Sequence, residues 1–346
     1  MDESIPRRAT LADVAAAAGV SKATVSKALN GRDDISTETR ERVLATLAEL
    51  DYHLPAPGRA AERRSIAVVF AVPASPYILG VLQGALIAAT EAGVDLLPRL
   101  SLGRESRRQR ALVREWIDEQ RASGVVGVIG LTIAEPDDLI GAAGEAGLPI
   151  VIVDPVDTTR DDLVSVGSSN WAGSRAMAQH LLDLGHRRIA WIGGPETSGA
   201  ARDRLYGYQA ALDAARIAVD SSLIRSGPFE VATGTRHARD LLAGPERPTA
   251  IMAADDEIAV GVLAAAHELG IRVPDELSVT GFDDTPQAAW TTPPLTTVHQ
   301  HLDGMGSIAV QTVLGMVEGR SPASRHLDLA TSLTVRNSTA PAPVAG

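Results

Sequence analysis

From Ile66 to Gly281 short apolar runs alternate with amphipathic segments, and this alternation narrows the possible folds more than any other feature. The runs Ile66–Val72, Val125–Ile129, Ile150–Val153, Arg188–Ile192, Ala250–Ala253 and Leu277–Gly281 have strand length and are apolar nearly throughout. A strand without a polar side must be covered on both faces. Between them, Ile78–Ala92, Arg107–Gln120, Asp137–Ala146, Trp171–Leu184, Leu205–Ala214, Thr233–Leu242 and Glu257–Leu269 repeat apolar residues at the helical period. Strands alternating with helices predict parallel sheets with helices on both faces.

A chain of 346 residues exceeds one small domain and predicts two or three folded units. Aromatic residues make up only 3%, so the cores must be filled by aliphatic side chains. The absence of cysteine excludes disulfides, thiol catalysis and Cys-ligated zinc. Asp2, Glu3, Arg7 and Arg8 precede no apolar core, which argues against a secretory signal. Ile66 to Thr90 is uncharged and long enough to test as a membrane span. Pro73, Ser75, Pro76 and Gln83 interrupt it, so a buried strand followed by a helix fits better. A cytoplasmic protein without membrane contact is expected.

The N-terminal region follows a different pattern. Thr10 can cap a short helix with Leu11, Val14, Ala15 and Ala18 on one face; Gly19 ends it, and Ser21 caps a second helix carrying Val25 and Leu29 inward. Such a pair is a helix-turn-helix unit, whose second helix can enter the DNA major groove, or a capped hairpin in any small core. Lys22 and Lys27, the only lysines in the chain, lie on that second helix. With Ala23 between them, they would face the groove, the lysines donating to guanine. A third helix from Ser36 to Leu50 places Val43, Leu44, Leu47 and Leu50 over Val14 and Val25. The net charge of −11 lies outside this region, because residues 1–64 balance acids against bases. An acidic body does not prevent a locally polarised headpiece from binding phosphate.

The wording of this stretch, Thr10-Leu11-Ala12-Asp13-Val14-Ala15, Ala18-Gly19-Val20-Ser21, Thr24-Val25-Ser26 and Leu29-Asn30, resembles the headpiece of the lactose-repressor (LacI/GalR) family. The similarity continues to about Thr339. It implies a small all-α helix-turn-helix headpiece (residues 1–50) and a linker or hinge (51–65). Beyond these it implies an α/β two-lobed body resembling periplasmic binding proteins (66–338), with two parallel, doubly wound sheets and crossings near Leu184 and Val298. The tail, 339–346, is expected to be flexible. Thr10, Ser21 and Asn30 are expected to touch phosphates. In the linker Arg59 matches the family's pattern, but Ala61 stands where a leucine wedges into the minor groove. Pro57-Gly58 also suits a helix interior poorly.

Ligands of open α/β sheets bind beyond the carboxyl ends of the strands. Asp255-Asp256 follows one predicted strand and Asp283-Asp284 another. By residue type alone these could be acid/base pairs, acceptors for sugar hydroxyls, or helix caps. The resemblance implies the second role for Asp283, in Gly281-Phe282-Asp283-Asp284, and for Asp255, where the family usually has asparagine. It also implies effector contacts for Arg204, Asn170, Phe229 and Gln300. His299 and His301, on alternating strand positions, should point to opposite faces, so no metal is expected. Gly193-Gly194-Pro195 has neither dinucleotide nor P-loop spacing, so no cofactor is expected. The expected function is a non-enzymatic, sequence-specific transcriptional regulator, a repressor that binds DNA as a homodimer and answers to a sugar. The alternative effector is a purine or other non-sugar acting as co-repressor.

Overall fold

In the computed structural model, which describes residues 11–29, 35–50, 64–70, 75–100, 107–133, 137–155, 162–244 and 246–343, the chain divides into two units. These are Met1–Glu62 and Arg63–Gly346. The first contains α1 (Leu11–Ala18), α2 (Lys22–Leu29) and α3 (Thr37–Glu49). Gly19, at φ +68°, ends α1 in the left-handed conformation that glycine adopts without strain. The Ser21 hydroxyl accepts from the Thr24 amide at 3.1 Å and the Ser36 hydroxyl from the Thr39 amide at 3.2 Å, so both expected caps form. Val14, Ala15, Ala18, Val25, Ala28, Val43 and Leu47 close a small core. Leu44 and Leu50, expected in it, are exposed instead. The short helices α1 and α2 cover only a narrow stripe of α3. Thr46 turns into that stripe, while Leu44 lies a quarter turn round from Val43 and Leu50 lies past the helix end. Thr10, Asn30 and the linker residues 51–63 lie outside the described residues.

The second unit opens with β1 (Ser65–Phe70), α4 (Pro76–Glu91), β2 (Asp95–Leu100), α5 (Arg107–Ala122), β3 (Val125–Leu131), α6 (Asp137–Glu145), β4 (Ile150–Val153) and β5 (Ser165–Ser168). It continues with α7 (Asn170–Asp183), β6 (Ile189–Gly193), α8 (Gly199–Ala214), β7 (Ile224–Ser226), α9 (Val231–Leu242), β8 (Ala250–Ala253), α10 (Asp256–Glu268), β9 (Ser278–Asp283), α11 (Pro286–Trp290) and β10 (Thr296–His299). It ends with α12 (Leu302–Val317), β11 (His326–Leu329) and β12 (Ser332–Thr334). Two sheets result, ordered β11-β5-β4-β3-β1-β2 and β12-β10-β9-β8-β6-β7. All neighbours are parallel except β12, which runs antiparallel to β10 at the edge of the second sheet.

Each sheet forms one lobe. The chain passes between lobes at 168–170, 299–302 and 329–332. The first crossing thus precedes α7 rather than following it near Leu184. The reason is packing: α7 lies on α8, where a Cβ on Gly207 would come within 2.3 Å of the Trp171 carbonyl oxygen. The third crossing was not expected at all. In the first lobe α12 packs on α4 just as closely, for a Cβ on Gly84 would reach 1.8 Å from the Asp303 carbonyl oxygen.

The tail, expected to be flexible from residue 339, is instead docked as far as the described residues extend. The Ala340 amide donates to the Ser278 hydroxyl at 3.1 Å and the Ala342 amide to the Leu184 carbonyl at 2.8 Å. Its prolines prevent a helix but not this extended strap. No helix among the described residues is long and apolar enough to cross a membrane.

Candidate functional site

The carboxyl ends of strands from both sheets converge on one cavity of about 450 Å³. From the first lobe it is lined by Ser75, Tyr77 and Ile78 beyond β1, Thr132 beyond β3 and Asp154 beyond β4. From the second come Pro195, Thr197 to Ala200 and Arg204 beyond β6, Pro228 to Glu230 beyond β7, Asp255 beyond β8, and Asp283 at the end of β9. Backbone strain gathers at the same place. Thr132, Asp154 and Asp283 have φ of 47°, 49° and 108°, a region that side chains with a Cβ rarely occupy.

Arg204 organises the second-lobe wall and is almost fully buried. Its Nε donates to Asn170 Oδ1 at 2.7 Å, its Nη1 donates to the Ala254 carbonyl at 2.7 Å, and the same nitrogen lies 3.2 Å from Asp283 Oδ1. The guanidinium plane rests 3.8 Å over the Phe282 ring. Three fixed acceptors and a ring leave it one orientation, with Nη2 taking no partner among the described residues. Gln300 Nε2 also donates to Asp283 Oδ1, at 2.6 Å. Burial pushes the Asp283 carboxyl up to about 6, against the pull of Arg204 and of the Gln300 hydrogen bond.

Asp255 performs one of the roles its type allowed, that of a helix cap, from the cavity wall. Its Oδ1 accepts from the Ile258 amide at 2.7 Å, capping α10, while the residue also faces the cavity. Burial, and after it the charge of Asp283, raise its carboxyl well above the usual range. Asp256 turns away and ties α10 to the neighbouring loops through the Thr285 amide and hydroxyl and the Thr297 hydroxyl. Burial pushes its carboxyl up to about 8. Neither aspartate pair is free for acid/base work: Asp255 is a helix cap, Asp283 and Asp284 are paired with Arg204 and Arg336, and Asp256 is a structural tie. Phe229 is half-buried and places its ring against Gly194, where a Cβ would meet it at 2.2 Å. That contact explains the second glycine of Gly193-Gly194.

The expected site residues therefore separate into two groups. Arg204, Phe229, Asp255 and Asp283 line the cavity, whereas Asn170 and Gln300 stand behind it, holding Arg204 and Asp283. The other lining residues were not singled out in the sequence, among them Glu230 and the pair Tyr77 and Asp154, whose hydroxyl and carboxylate meet at 2.5 Å on the opposite wall. Burial raises both groups above their ordinary values. The signal for Asp154 was present, since it follows β4 as Asp255 and Asp283 follow their strands. His299 and His301 correct another expectation. Positions two apart on a strand lie on the same face, not opposite ones, and the two rings meet edge to face with centroids 4.8 Å apart. No group of three or more metal-ligating side chains occurs among the described residues. In the headpiece, Ser21 and Lys22 are exposed at the start of α2, and Ala23 and Lys27 lie on it, their side chains outside the described residues.

A helix-turn-helix unit joined to a two-lobed binding body is the build of a ligand-responsive DNA-binding regulator. Comparison with known proteins bears this out. Residues 10–54 match the family described as bacterial regulatory proteins, lacI family, and residues 178–339 match a periplasmic binding protein-like domain. The HTH-type transcriptional regulator CelR of Thermobifida fusca is 34% identical, covering 96% of this chain and 98% of the relative. The HTH-type transcriptional repressor PurR of Escherichia coli O139:H28 (strain E24377A / ETEC) is 30% identical, covering 97% and 98%. Among solved structures, a CelR–cellobiose complex superimposes with TM-score 0.72 at 32% identity, covering 96% of this chain and all (100%) of that one. A lac repressor dimer bound to operator and the anti-inducer ONPF gives 0.73 at 28%, with the same coverage. The chain belongs to the LacI/GalR family. It is a DNA-binding transcriptional regulator and not an enzyme.

Proposed function

We propose that the chain is a repressor acting in the cytoplasm, that it binds operator DNA as a homodimer, and that a sugar controls it. The observation that carries the effector class is the cavity's polar lining: carboxylate oxygens around one immobilised guanidinium, with the Phe229 ring beside them. Sugar hydroxyls donate to carboxylates and accept from Arg204 Nη2, while an aromatic ring takes the sugar's apolar face. Arg204, Phe229, Asp255 and Asp283 make these contacts, and Asn170 and Gln300 hold two of them in place. The likeness to CelR in complex with cellobiose supports a sugar. The PurR name, together with Tyr77 and Phe229 both lining the cavity, favours a second reading in which a planar purine sits between two rings as co-repressor.

In the headpiece, Lys22, Ala23 and Lys27 face the major groove and Thr10, Ser21 and Asn30 contact phosphates, with Arg59 contributing from the linker. Dimerisation uses the first lobe, where Leu79, Leu86 and Ile87 expose one apolar stripe of α4 and Leu97 and Leu100 lie exposed on edge strand β2. Thermal melting of the full chain with cellobiose, with hypoxanthine and with neither tests the effector reading. A rise with the disaccharide alone is expected. A rise with hypoxanthine alone contradicts the sugar and establishes the purine.

A further inference from the structure

We infer that the effector carries a basic amino group beside its hydroxyls, the chemistry of an amino sugar. This rests on the sugar reading above and narrows it. The cavity is lined by four carboxylates, Asp154, Glu230, Asp255 and Asp283, and by one cation, Arg204. That cation is committed to Asp283 at 3.2 Å. Among the described residues lining the cavity Arg204 is the one basic side chain, and it forms no ion pair with Asp154, Glu230 or Asp255.

The placement of these oxygens adds to the charge count. Asp154 Oδ2 receives the Tyr77 hydroxyl and Asp255 Oδ1 receives the Ile258 amide. The second oxygen of each carboxylate takes no hydrogen bond from any described residue, and both residues line the cavity. More acid lies behind them. A Cβ on Gly167 would lie 2.8 Å from Asp328 Oδ1 and 3.4 Å from Asp154 Oδ1, so these two carboxylates share one glycine's surroundings.

Burial raises the Asp154 and Asp255 carboxyls even though Arg204 pulls both down, a cost that a neutral sugar does not relieve. A hydroxyl offers each free oxygen one donor and no charge. An ammonium offers three donors and a full positive charge, satisfying hydrogen bonding and electrostatics together. The same argument sets the cavity against phosphorylated or carboxylated sugars.

A set of three β-1,4-linked disaccharides isolates the effect: cellobiose, the glucosamine dimer and the N-acetylglucosamine dimer. Calorimetric titration of the full chain at pH 7 should show the glucosamine dimer binding on the order of tenfold more tightly than cellobiose. That advantage should shrink with added salt and be absent from the acetylated dimer, which has lost the charge. Asp255→Asn, which keeps a cap acceptor for α10, should remove most of it. Cellobiose binding as tightly as the glucosamine dimer, or more tightly, overturns the amine inference and leaves the sugar reading standing. Indifference to all three disaccharides with binding of hypoxanthine overturns the sugar reading itself.

Discussion

At the scale of single residues, Asp283 is set by opposed forces. Burial drives its carboxyl toward the protonated form, and Arg204 and Gln300 hold it back, leaving it at about 6 instead of 3.8. A carboxyl that binds its proton more readily in the folded chain stabilises the fold as pH falls from about 6 to 4 and costs stability above 6. The rise from 3.8 to about 6 converts to about 3 kcal/mol at most. Thermal melts of the wild-type chain and of Asp283→Asn between pH 4.5 and 7.5 should therefore diverge. Wild type gains on the variant toward acid, and parallel curves contradict the account. Arg204 and Asp283 were readable in the sequence because each sits in a distinctive run of neighbours. The Tyr77–Asp154 pair was not, since 77 positions separate its members and only the folded first lobe brings them together.

Among the elements, the buried central strands and their helices carried the clearest sequence signal, because an uninterrupted apolar run has few other uses. Edge elements carried little. The strand β2 (Asp-Leu-Leu-Pro-Arg-Leu) contains two charges and a proline, as an edge position tolerates, and the other edge strands β7, β11 and β12 are three or four residues long. Helix α12 passed unnoticed because Gly304, Gly306 and Gly315 weaken its helical pattern. Two of these glycines face α4 or β11, and a Cβ on Gly306 would lie 1.9 Å from the Val81 carbonyl oxygen. In the headpiece the capped helix α2 presents Lys22 to solvent, with Lys27 five positions further along. Replacing Lys27 with alanine should weaken operator binding by roughly 1–3 kcal/mol and relax preference at one base pair. Gel-shift titration against the operator and single-base variants would show it, and unchanged affinity removes Lys27 from the groove.

The whole molecule joins a DNA-reading unit to a body whose two lobes share one cavity and exchange the chain three times. A ligand held by Arg204 and Asp283 on one lobe and by Tyr77 and Asp154 on the other binds best when the walls are close, and so favours one arrangement of the lobes. Coupling to DNA follows only if that arrangement also changes how two headpieces meet the operator. The two-lobed plan was readable from strand–helix alternation together with the family resemblance. The crossing near Val298 was readable too, but the one before α7 and the one between β11 and β12 were not, because they depend on which lobe each flanking element packs against. The most direct test is operator binding by the full chain and by Asp283→Ala, followed by fluorescence anisotropy on a duplex selected from random sequence, with and without the disaccharide that raises the melting temperature. Wild type should change its operator affinity severalfold on adding the disaccharide, whereas Asp283→Ala should bind the duplex equally well and not respond. A variant that responds at the same disaccharide concentration as wild type would place the controlling site elsewhere.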